Sequence, residues 1–222
     1  MIVLRNVTKV FRVWGRSNIV FRDVNLTIPT GSSVGLLGRN GAGKTTLLRM
    51  LAGTMDVTEG EILTDGLISW PVGFAGSFHG ELTGAQNTKF IARIYGMDTD
   101  EMTTFVDDFA ELGAHYHLPF RTYSAGMKSR LAFGASMAVP FDTYLIDEVT
   151  SVGDAAFREK STAMFKERLK TAGAFYVSHG MGSMRHMCES GIVIENGTLT
   201  WHDQIDNAID HHLENMKKPR TA

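Results

Sequence analysis

The chain has 222 residues, 43% of them hydrophobic, enough to bury a full core as one domain or a domain with a small appended lobe. A formal net charge of -2 lacks the basic excess that duplex DNA or RNA binding demands, so nucleic acid is not expected as a partner. The one cysteine, Cys188, permits no internal disulfide and reads as a buried small hydrophobe in a reducing compartment. No stretch approaches the roughly 18 uncharged apolar residues of a spanning helix, and the opening MIVLRNVTKVF alternates like a strand rather than a leader. Membrane association is therefore expected only through a partner.

Residues 1–28 are rich in Val, Ile, Phe and Thr, with turn formers at 15–18, which predicts short, mostly antiparallel strands. An apolar run at 33–37 leads into a glycine-rich loop, after which Leu47, Leu48, Met50 and Leu51 fall at helical spacing. Thr83 followed by Gln86 has capping-box spacing and opens a helical lobe, in which Phe90, Ile91, Ile94 and Tyr95, then Phe105, Val106, Phe109 and Leu112, recur at helical intervals. A further helix follows Ser124 and is stopped by Pro140. Buried strands are predicted at 143–146, 174–177 and 192–195, then a helix at 205–213 and a short tail. Strands alternating with helices argue for a largely parallel α/β sheet with the helical lobe inserted. His115, His117, His211 and His212 show no partner pattern and are expected at the surface.

The loop GRNGAGKT at 38–45 completes the pattern GxxxxGK[ST], with glycines where backbone amides must turn inward around a phosphate and a helix behind to add its positive end. Gly38, Asn40, Gly41, Ala42, Gly43, Lys44, Thr45 and Thr46 are the expected ATP-binding set, with Lys44 reaching the β- and γ-phosphates. Such a loop alone fits kinases, GTPases and ATPases. TYLIDE decides further: Asp147, at the end of a buried strand, is placed to hold Mg2+ together with the Thr45 hydroxyl, and Glu148 to polarise the attacking water.

Between the helical lobe and Asp147, the string YSAGM at 123–127 resembles the LSGGQ signature of ATP-binding-cassette proteins, matching it at Ser124 and Gly126 and departing at Ala125 and Met127. The resemblance runs from residue 1 to about 213. It implies a P-loop NTPase (RecA-like) α/β core with an N-terminal antiparallel β subdomain and an inserted α-helical subdomain: core 1–76 and 140–213, helical part 77–139, tail 214–222. It also implies a switch histidine at His179 that senses the γ-phosphate, a nucleotide contact at Asp154, and an adenine-stacking aromatic at Phe11, with Trp14 as competitor. Two copies would pair head to tail, Ser124 and Gly126 of each closing the nucleotide of the other.

After Glu148 the chain reads VTSVGDAAFREK, similar to the VGDxxFxxK run of bacterial polysaccharide exporters, and FHGELTG at 78–84 resembles the FHPELTG segment of that branch. No glutamine stands at 74–76, where the family's loop to Mg2+ and the membrane subunit ordinarily begins. The expectation is an ATPase on the cytoplasmic face of the bacterial inner membrane, similar to those of capsular polysaccharide export. It would work with a transmembrane permease and with periplasmic and outer-membrane export components. The compact length points away from O-antigen exporters with an added sugar-binding domain, although O-antigen or teichoic acid export is the alternative. Soluble cassettes acting on ribosomes or DNA usually bring paired cassettes or a long coiled-coil insertion, which this chain lacks.

Overall fold

The computed structural model describes residues 1–76, 78–147, 154–178 and 180–218. The strands, in chain order, are β1 (Ile2–Val13), β2 (Arg16–Ile28), β3 (Ser33–Gly38), β4 (Glu59–Thr64), β5 (Ile68–Pro71), β6 (Thr143–Asp147), β7 (Gly173–Val177), β8 (Ser190–Glu195) and β9 (Thr198–His202). The helices are α1 (Lys44–Leu51), α2 (Gly84–Ile94), α3 (Thr99–Ala110), α4 (Ala125–Ala138), α5 (Ala155–Arg168), α6 (Met181–Met187) and α7 (Ile205–Lys217). They divide into two compact units, Met1–Ser69 with Phe141–Glu148 and Thr171–Ala222, and Trp70–Pro140 with Val149–Lys170.

In the first unit, β1 runs between β2 and β4 in an antiparallel sheet. The short strands expected at the N-terminus are instead one long hairpin, because its turn needs only Trp14 and Gly15, at φ 52° and 74°. A two-residue turn with positive φ at both positions matches the twist of the flanking strands, so pairing resumes at Arg16.

The second sheet has the order β5-β6-β7-β3-β8-β9, with β3, β6, β7 and β8 parallel and β9 antiparallel at the edge. Strand β7 is buried along its whole length, which is why AFYV reads as a continuous apolar run rather than an alternating one. Val7 and Phe21 of the hairpin share a core cluster with Leu36, Leu47, Leu145 and Phe175. Because β6, β7 and β3 are parallel neighbours, the chain leaves all three at the same sheet edge, at Asp147, Val177 and Gly38. Ligands of open α/β sheets bind at that carboxyl edge. Cys188 is buried beside Gly35, and burial pushes its thiol up to about 12.

Three expectations change in this unit. Helix α7 continues to Lys217 rather than ending near Leu213. His212 is buried, and its proton affinity is held down first by burial and then by the nearby Lys44. His211 hydrogen-bonds His202 across 2.9 Å, a partner that the sequence does not reveal because the two lie on different elements.

In the second unit the Thr83 hydroxyl accepts from the Gln86 amide at 3.1 Å and the Gln86 side chain accepts from the Thr83 amide at 2.9 Å, the reciprocal box expected there. The apolar positions of α2 split between faces: Ile91 is buried, whereas Phe90 and Ile94 are 54% and 60% exposed. Helix α5 belongs to this unit. Asp154 caps it by accepting from the Phe157 amide and also receives Arg130 of α4 at 2.6 Å. Lys160 donates to the carbonyls of Asp108 and Phe109, at the end of α3, and to Glu111. Phe157 meets Phe109 edge to face at 5.5 Å and lies under the Arg130 guanidinium. The D, F and K of the exporter-like run thus hold α5 against α3 and α4.

The bond from Lys160 is the main reason the Glu111 carboxyl sits below its ordinary range, and the Phe157 amide followed by Arg130 does the same for Asp154. A carboxyl lowered on folding contributes stability that is complete above its ordinary value, near about pH 4, and vanishes as pH falls through the folded-state value. The thermal midpoint is expected to fall on acidification from about pH 5 to about pH 2, and to fall less in Glu111→Gln. Circular-dichroism melts showing an equal fall in both proteins would contradict this assignment.

Candidate functional site

The glycine loop leaves β3 at Gly38 and turns into α1 through Gly41 and Gly43, at φ 83° and 111°. A β-carbon on Gly43 would sit 2.6 Å from Val20 Cγ1 and 2.7 Å from Phe21 Cζ, so both backbone conformation and crowding by β2 require glycine. Gly43 is also the N-cap of α1, and no side chain caps that helix. That is the end of the helix where the dipole is positive and an anion is favoured. The loop holds its own shape through the Ala42 amide, which donates to the Arg39 carbonyl at 3.0 Å.

Lys44 Nζ donates to the carbonyls of Gly38 at 2.7 Å and Arg39 at 3.2 Å, which keeps the ammonium along the loop. The Thr45 hydroxyl donates to Asp147 Oδ2 at 3.3 Å, joining the start of α1 to the end of β6. Lys44, Thr45, Thr46, Asn40, Asp147 and Phe11 all line one cavity of about 500 Å³. Phe11 thus forms part of the wall beside the loop, with Lys9 Nζ 5.1 Å from its ring centroid. Trp14, 98% exposed at the hairpin tip, lines the adjoining recess with Phe11, Arg16 and Asn18.

A hydroxyl and a carboxylate side by side are hard oxygen donors of the kind Mg2+ takes, and Mg2+ usually draws its other ligands from water and phosphate. Among the described residues no group of three or more His, Cys, Asp or Glu side chains offers an all-protein cage. The donor set fits Mg2+ arriving with a nucleotide.

Ser124 is the N-cap of α4, its hydroxyl accepting from the Met127 amide at 3.2 Å. Among the described residues, a β-carbon at 126 would find only Ser124 Oγ, at 4.0 Å, so nothing there requires glycine. Both residues are exposed. Asp154, expected among the nucleotide contacts, has one oxygen on the Phe157 amide and the other on Arg130. At 74–76, where glutamine is missing, the Phe74 ring covers Gly76 so closely that a β-carbon would lie 2.3 Å from Phe74 Cζ. Glu148 and His179, the expected base and switch, lie outside the described residues.

Gly43→Ala is expected to cost about 1–3 kcal/mol of stability from the left-handed backbone alone, more where Val20 and Phe21 cannot retreat, and to abolish ATP binding. Calorimetric titration with ATP checks this; wild-type affinity in the variant would contradict the geometry described for the loop.

The family model described as ABC transporter matches residues 21–151. The polysialic acid transport ATP-binding protein KpsT of Escherichia coli is 47% identical, over 96% of this chain and 96% of its own length. The ATP-binding protein BexA of Haemophilus influenzae is 41% identical over 98% and 100%. The capsule polysaccharide export ATP-binding protein CtrD of Neisseria meningitidis is 41% identical over 96% and 98%. The dimeric post-hydrolysis state of the ATP-binding cassette MJ0796, bound to ADP and Pi, superposes with a TM-score of 0.76 at 22% identity, covering 91% of this chain and 98% of that one, a likeness of fold. With its P-loop NTPase fold, its glycine loop and the Thr45–Asp147 pair, this chain belongs to the ABC transporter family and is an ATP-binding-cassette ATPase.

Proposed function

We propose that this chain is the ATP-hydrolysing subunit that powers export of capsular polysaccharide through a separate transmembrane permease. The chemistry rests on one observation above the others, the Thr45 hydroxyl beside the Asp147 carboxylate in the cavity that holds the glycine loop. The cargo rests on the relatives named for polysialic acid transport and capsule export at 41–47% identity. The O-antigen export protein RfbB of Klebsiella pneumoniae stands further away, at 35% identity over 91% of this chain and 84% of its own length.

In this reading the amides of the loop and of α1 bind the phosphates and Lys44 swings from the loop carbonyls to the β- and γ-oxygens. Phe11 stacks on adenine. Thr45 and Asp147 would hold Mg2+, which when bound would supply positive charge against the charge developing on the phosphate oxygens. Glu148 orients the attacking water and takes its proton, and His179 reads the γ-phosphate. Asp154 acts by fixing α5 to α4, the helix that Ser124 begins.

Ser124 and Gly126 serve the nucleotide of a second copy in a head-to-tail pair. The support is their exposure and the absence, among the described residues, of any crowding that would explain glycine at 126. ATP binds the closed pair more tightly than the open one, and that difference in affinity is what can move the permease. No helix among the described residues is long and apolar enough to cross a membrane, so attachment to the cytoplasmic face of the inner membrane comes through the permease. Periplasmic and outer-membrane components would carry the polymer onward.

Expression of this chain in Escherichia coli lacking KpsT is expected to restore surface polysialic acid, and Glu148→Gln is expected not to. The purified variant should bind ATP with turnover near zero. Absence of surface polymer with the unaltered chain would favour the O-antigen or teichoic acid reading, and steady hydrolysis by Glu148→Gln would show that another group is the base.

A further inference from the structure

The second residue of the glycine loop, Arg39, is free to be almost anything in the pattern GxxxxGK[ST], yet its side chain has a specific destination. Its Nη2 donates to the carbonyls of Asn215 at 2.8 Å, Met216 at 3.1 Å and Lys218 at 2.7 Å, at the end of α7. The last carbonyls of a helix have no intrahelical partner and carry the negative end of its dipole, so a guanidinium there satisfies the acceptors and complements their charge. Lys218 Nζ closes the same end by donating to Asn215 Oδ1 at 3.1 Å.

The main chain of Arg39 is equally committed to the loop. Its carbonyl accepts from the Ala42 amide and from Lys44 Nζ. One residue therefore grips α7 with its side chain and sets, with its backbone, the turn that aims the phosphate-binding amides and the place where Lys44 rests. Helix α7 is itself anchored at its other end, where the Ile205 amide donates to the Glu189 carbonyl and Asp206 pairs with Arg185. His212, buried one turn before the capped end, packs within reach of the charges of Lys44 and Arg39, and its burial and those cations favour the neutral ring. A displaced Arg39 side chain would free the loop to adopt other turns before phosphate arrives, and ordering it again would be charged against nucleotide affinity.

We propose that Arg39 is a positioning residue for ATP binding, and that the C-terminal end of α7 is through it a working part of the nucleotide site. The claim rests on the loop binding ATP, which titration of the unaltered chain in the same experiment checks separately.

The experiment compares four variants with the unaltered chain: Arg39→Ala, Arg39→Lys, termination after Glu214, and termination combined with Arg39→Ala. ATP affinity is read by calorimetry, KM and kcat by steady-state hydrolysis, and folding by thermal melts. Arg39→Ala is expected to raise the ATP dissociation constant and KM on the order of tenfold while kcat at saturating ATP changes far less. Arg39→Lys should recover part of the loss, since a point charge still meets the helix end without the planar fork. Termination after Glu214 should weaken ATP binding similarly and add little in the Arg39→Ala background, because both remove the same contact. Unchanged ATP affinity in Arg39→Ala, or full additivity of the two changes, would overturn the proposal. So would a lowered melting temperature in Arg39→Ala with KM intact, which is what a purely structural cap would give.

Discussion

The open N-terminus of α1 is the constraint on which the rest depends. A helix that begins at a glycine N-cap forgoes a side-chain cap, at a cost of roughly a few tenths of a kcal/mol relative to Ser or Asp. In the proposed function that end of the helix receives phosphate. Keeping that end open requires Gly43 at a left-handed backbone angle, packed against Val20 and Phe21 with no room for a β-carbon. The long hairpin of β1 and β2 thereby does two things: it completes the core with Val7 and Phe21, and it presses on the loop and brings Phe11 to the cavity wall. The parallel order β6-β7-β3 then delivers Asp147 to the same edge, within reach of Thr45.

Much of this was legible in the sequence because it depends on local rules. The glycine loop declares itself by residue type at fixed spacing, and the Thr83–Gln86 box and the stop at Pro140 follow from hydrogen bonds a few residues apart. The buried strands are legible as unbroken apolar runs, the mark of parallel strands covered on both faces. What was not legible joins residues remote in sequence. Arg39 and the end of α7, His202 and His211, and the chain from Lys160 through Glu111 and Arg130 to Asp154 become partners only when the fold closes. The end of α7 is illegible for the same reason, since its last turn is held by a remote donor, Arg39, as well as by the adjacent Lys218.

The exporter-like strings acquire physical content. In VGDxxFxxK the acid caps α5, the aromatic packs between α3 and α4, and the lysine satisfies the carbonyl end of α3. These contacts concern how α5 and the α4 helix starting at Ser124 are held, so the run can set the pose of the signature without touching nucleotide. At 74–76 an exposed Phe74 folded over Gly76 takes the place of the family's glutamine. Its phenyl side chain carries no oxygen for a metal ion, unlike the amide of a glutamine.

The central claim is that each chain carries half of a nucleotide site, its loop, Asp147 and Glu148, and lends Ser124 and Gly126 to the other half. Mixing two inactive variants measures this directly: ATP hydrolysis by co-assembled Lys44→Ala and Ser124→Ala copies, against each variant alone. A mixed pair contains one site with an intact loop from one copy and an intact signature from the other, so hydrolysis is expected to return on mixing. A mixture as inactive as its separate components would mean that each loop depends on the signature of its own chain, and the shared-site account would be wrong.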